Sequence, residues 1–137
     1  MNLRLNVTNV NGFGYVISEF VNINYNRRDG ITATSSKDGR LNDNDLLAKV
    51  ENAAYIKVDS YEMSFGDILE MLSVLELEGI DFNERELESI VYNSNLIKKE
   101  NIDQVIKRAV NHDLEAYILV ELGIMSEEWL LEGDDLA

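Results

Sequence analysis

The sequence predicts an α+β fold in which a small antiparallel β-sheet is followed by an acidic helical bundle. Three observations lead there. Apolar residues recur with period two over the first sixty residues and with helical spacing afterwards. Turn residues fall between the strand-like runs. The charge also divides at that point: up to Ser60 seven acids balance seven bases, whereas Tyr61 to Ala137 holds nineteen acids and five bases and so the whole net charge of −14.

Leu3, Leu5 and Val7 alternate with Arg4 and Asn6, the pattern of a half-buried strand. Asn11-Gly12 with Gly14 forms a turn signal, and Tyr15 to Tyr25, rich in Val, Ile, Phe and Tyr, predicts a second strand, bulged or bent near Ser18-Glu19. Asp29-Gly30 is a hairpin signal. Ile31 to Ser35 is a β-branched third strand that Ser36-Lys37-Asp38-Gly39 ends, which completes a meander. Asn42 to Asp45 offers N-caps for a helix carrying Leu46, Leu47 and Val50, after which Tyr55, Ile56 and Val58 suggest one more strand.

Beyond Ser60 the period is helical. Ser64 with Asp67 three residues on resembles a capping box before Phe65, Ile68, Leu69, Met71, Leu72 and Leu75, and Gly79 closes that helix. Asn83 with Glu86 starts a helix bearing Leu87, Ile90 and Val91; others follow over Ile102 to Val110 and Leu114 to Leu122, and Ser126 caps a last turn with Trp129 and Leu130. Leu114 to Leu122 is apolar nearly all round, which suits either the centre of the bundle or a subunit interface. The chain thus divides into a neutral β-rich region, 1–60, and an acidic helical region, 61–137, with no linker-like stretch between them, an arrangement compatible with one compact domain.

Composition excludes several function classes. Without cysteine there is no thiolate nucleophile and no disulfide framework, and with His112 as the single histidine no dyad or two-histidine metal site forms within one chain. No phosphate-binding glycine loop or hydrolase motif occurs, so the reading is of a protein without catalytic residues, metal or cofactor. No stretch approaches the ~20 apolar residues of a membrane span, and the start at Met1 lacks the features of a secretory leader. A cytoplasmic location is expected, that of the host if the protein is phage-encoded.

The acids have a geometry of their own. At 100° per residue Asp67, Glu70 and Glu78 lie opposite the Ile68, Leu72, Leu75 stripe with Val74 and Leu77 among them, and Glu76, Glu78, Asp81, Glu84, Glu86 and Glu88 follow within thirteen residues, relieved only by Arg85. Glu84 and Glu88 form a like-charge pair one turn apart, which costs roughly 0.2 to 0.5 kcal/mol and is partly offset by the helix N-terminus. A single acid in such a run is ordinary surface solvation. Nineteen against five exceeds what solubility requires, since a net charge of about 2 to 8 serves a small domain. These ten residues, Asp67, Glu70, Val74, Glu76, Leu77, Glu78, Asp81, Glu84, Glu86 and Glu88, are the expected partner-binding surface: charge guides encounter and apolar area supplies affinity. A surface so negative repels nucleic acid and anionic membrane, and attracts proteins that hold polyanions. A second run, Glu127, Glu128, Glu132, Asp134 and Asp135, contains no base.

Four segments carry a family resemblance: AYIKVDSYE (Ala54 to Glu62), SFGDILEML (Ser64 to Leu72), NERELESIV (Asn83 to Val91) and EAYILVELG (Glu115 to Gly123). Together they resemble the antirestriction proteins of the ArdA type found in phages, plasmids and conjugative transposons, over about half of the chain. Several anti-CRISPR proteins have a similar character. The resemblance implies an elongated, often dimeric polyanion that imitates bent DNA and occupies the basic groove of a restriction-modification or CRISPR effector enzyme. The partner would then be a DNA-binding protein of a bacterial defence system. A non-enzymatic adaptor that binds a basic or amphipathic segment is the alternative. The chain departs from that family in its shorter length and its neutral first sixty residues.

Overall fold

The computed structural model describes residues 1–130, apart from the side chain of Lys99. Five strands, β1 (Asn2–Val10), β2 (Val16–Asn26), β3 (Gly30–Ser35), β4 (Gly39–Leu41) and β5 (Tyr55–Glu62), form one antiparallel sheet in the order β4-β3-β2-β1-β5. The helices are α1 (Asp43–Glu51), α2 (Phe65–Leu77), α3 (Glu84–Tyr92), α4 (Ile102–Val110) and α5 (Leu114–Glu121), with a 3-10 turn at Lys99–Asn101. The fold is α+β. β1 to β4 run as a meander, and α1 then carries the chain back to the far edge, where β5 pairs with β1.

Alternation decides which face of the sheet is covered. Leu3, Leu5 and Val7 of β1 stand opposite Ile23, Val21 and Glu19 of β2, and Ala33 of β3 lies between Ile23 and Leu41. All of these point into one continuous core with Leu46 of α1, Ile68 and Met71 of α2, Leu87 of α3, Ile106 of α4 and Leu119 of α5. The opposite face carries Asn2, Arg4, Asn22, Asn24, Thr32 and Thr34, all exposed, with Arg4 stacked on the ring of Phe20 at 4.2 Å. The composition change near Ser60 falls inside β5.

Two details differ from expectation. The β1–β2 register is unbroken from Asn2↔Asn24 to Val10↔Val16, and the irregularity lies instead on the β1–β5 ladder between Arg4 and Leu5. The reason is Glu19. Where the sequence predicts a bulge or bend, Glu19 instead occupies an inward position, and its carboxylate accepts hydrogen bonds from Ser35 and, at 2.9 Å, from the Lys49 ammonium of α1. Burial pushes the Glu19 carboxyl up, but Ser35 and Lys49 together hold it below its usual value. The second detail is β4, which begins at the glycine expected to end the meander. Ser35 Oγ accepts from the amides of Lys37 and Asp38 and so turns the chain, and Gly39 supplies the positive φ of 75°.

α5 lies at the centre of the bundle: Leu114 to Leu119 are all buried, and the helix packs on α2 and α4.

Candidate partner-binding surface

The ten expected contact residues separate into two groups. Glu76, Leu77 and Glu78 end α2, Asp81 lies in the following turn, and Glu84, Glu86 and Glu88 belong to α3, which packs on α2. The local sequence explains this corner. Gly79 takes φ 73° to stop α2, and Asn83 caps α3 by accepting from the Glu86 amide at 2.7 Å. Glu76, Glu78, Asp81 and Glu86 are exposed and Glu84 and Glu88 half-buried; among the described residues no ion pair is formed by any of the six. Leu77 protrudes among them, 75% exposed.

Asp67, Glu70 and Val74 do not belong to that surface. Asp67 is only 7% exposed: its Oδ2 accepts from the Ser64 amide at 2.6 Å, completing the capping box of α2, and its Oδ1 accepts from the Met1 ammonium at 2.9 Å. Val74 is core, 5% exposed. Glu70 is half-buried, and its Oε2 lies out of solvent with no hydrogen-bond donor. The expected face of α2 was thus turned about its axis. Eight of its thirteen residues are apolar, so spacing alone does not choose the buried side.

The same turn brings other residues outward. Phe65 and Leu69, expected in the core, are about half exposed, and Tyr92 at the end of α3 is exposed while its hydroxyl donates to the Met63 carbonyl at 3.1 Å. Phe65 and Leu69 lie one turn apart and form an exposed apolar patch on α2, while Leu77, two turns further along beyond Ser73, stands at the acidic corner. A count of apolar residues in α2 beyond what one stripe can bury was the available signal for this patch. Glu127 and Glu128 of the second acidic run are exposed, whereas Glu132, Asp134 and Asp135 lie outside the described residues.

Elsewhere the hairpin tip between β1 and β2 exposes Phe13 and Tyr15, held by Asn11, whose Oδ1 accepts from both of their amides. His112, at the junction of α4 and α5, adopts φ 63° and lays its imidazole against the α-carbon of Gly30. Among the described residues no helix is long and apolar enough to cross a membrane. Comparison of the chain with protein-family models, curated proteins and solved structures finds no match in any of the three.

Proposed function

We propose that this chain is a non-catalytic protein inhibitor of a DNA-handling enzyme of a bacterial defence system, a restriction-modification or CRISPR effector, and that its acidic corner occupies the enzyme's basic nucleic-acid cleft. One observation carries the reading: Glu76, Glu78, Asp81, Glu84, Glu86 and Glu88 lie on one helix-turn-helix, and no described base neutralises them by an ion pair. The β-carbons of residues one helical turn apart stand about 5 to 6 Å from each other, a spacing from which carboxylates can line the path of a phosphodiester backbone. Leu77, exposed between Glu76 and Glu78, adds apolar area.

The experiment is inhibition of DNA cleavage across a panel of such enzymes, comparing the native chain with the Glu84→Lys, Glu86→Lys, Glu88→Lys variant. At about 1 kcal/mol for each contact the triple reversal weakens inhibition roughly 100-fold. Added salt weakens the native complex as well. Equal potency of the two proteins would rule the reading out.

The exposed patch of Phe65 and Leu69 favours a second reading, an adaptor that holds an amphipathic segment of its partner. Binding of that kind changes little with salt, is not competed by duplex DNA, and is lost on Phe65→Ser with Leu69→Ser.

A further inference from the structure

At the seam of α2, α5 and β2, Glu115 is only 4% exposed, its Oε2 accepts from the Tyr25 hydroxyl at 2.8 Å, and its Oε1 has no donor. The Glu70 carboxyl, reaching across from α2, faces it within hydrogen-bonding range, and Glu70 Oε2 is likewise out of solvent without a donor. Two carboxyls that meet in such a seam, each with an oxygen out of solvent and without a donor, lack one thing, a hydrogen between them. We propose that Glu70 and Glu115 share a single proton, and that this proton is a pH-dependent latch holding α5 against α2 and the sheet.

Neighbouring groups do not fill that place. The charged or titratable side chains around the adjoining cleft, a space of about 50 Å³, are Arg27, Glu78, His112 and Asp113. Of these Asp113 accepts from Arg108 at 2.9 Å, and no described ion pair joins Arg27 or His112 to either glutamate. Along α2 the next acid, Asp67, is taken by Ser64 and the Met1 ammonium. A metal ion is poorly suited, since no group of three or more His, Asp or Glu ligands is assembled among the described residues. A proton needs only the two oxygens.

The energetics agree with the geometry. Burial pushes the Glu115 carboxyl up, to about 7; the Tyr25 hydroxyl pulls it down, and Glu70 adds to the rise. A carboxyl whose proton is held more tightly in the folded chain contributes stability that is complete at low pH and is lost as pH rises through the folded value. Below that value the latch is closed. Above it two negative charges face one another where water is scarce, and the α2–α5 contact loosens.

The test is the unfolding temperature from pH 5 to pH 8 in the native chain and in Glu115→Gln, whose amide donates to Glu70 at every pH. The native midpoint falls across this range and that of the variant stays level; parallel curves for the two proteins would overturn the proposal. If Glu115→Gln does not fold, Glu70→Gln removes the same confrontation from the other side and is expected to level the curve in the same way. Carbon-detected NMR titration of the native chain gives an independent reading. One glutamate carboxyl stays protonated well above pH 5, and glutamates that all titrate at ordinary values refute the latch.

Discussion

Glu19 illustrates how a residue that breaks a sequence pattern is accommodated by partners far along the chain. Its place opposite Val7 puts a carboxylate among apolar side chains, and Lys49, thirty residues away, answers it from α1. Lys49 also binds Asp38 at 2.5 Å, so one ammonium ties β2, the β3–β4 turn and α1 together. Lys49→Met is therefore expected to cost about 1 to 3 kcal/mol in denaturant unfolding, the range for taking the donor from a part-buried acceptor, with Ser35 still serving Glu19. Gly30 gives a second residue-scale prediction. Its φ of 76° and the His112 ring, 2.6 Å from where a β-carbon would stand, both oppose a side chain. Gly30→Ala should lose about 1 to 2 kcal/mol from the backbone alone. His112→Ala in the same chain should recover only the steric part of the total loss.

At the scale of elements, helix starts were legible, and so were the buried sides of α1 and α3, but the face of α2 was not. Asn42, Ser64 and Asn83 each accept from the amide three residues on, as their positions before apolar runs predict. A cap is a local contract between neighbours, so the local sequence suffices. Ser64→Ala is expected to cost about 1 kcal/mol and to fray the first turn of α2, measurable by hydrogen exchange at Asp67 and Ile68. The face of α2 was decided otherwise. With apolar residues on most sides, its rotation follows from what it meets: Asp67 meets Ser64 and Met1, Glu70 meets Glu115, and α3 and α5 pack along it. That is why Val74 went inward and Phe65 outward, and why three of the ten expected contacts left the surface.

For the whole molecule the relevant quantity is the balance of charge against a single core. A net charge of −14 on 137 residues repels itself in the folded state, so added salt should raise the unfolding temperature at neutral pH. The pH profile should be a dome with its top in mildly acidic solution. On the acid side Glu19 is held below its usual value, so its contribution is present above that value and disappears as pH falls through the folded one. On the other side Glu115 acts in the opposite sense, its contribution fading as pH rises towards 7. A monotonic rise of stability from pH 4 to pH 8 would contradict this assignment of the two buried carboxyls.

Strand alternation, caps, glycine stops and the uneven distribution of acids are properties of neighbours along the chain, and by themselves they determined the α+β class, nearly every element and the run of acids from Glu76 to Glu88. The closing of the sheet by β5, the inward place of Glu19, the rotation of α2 and the meeting of Glu70 with Glu115 were decided only in the tertiary structure. Each of these depends on residues from about thirty to more than sixty positions apart, where the free energy of contact, not local preference, selects among arrangements that the sequence pattern leaves equivalent.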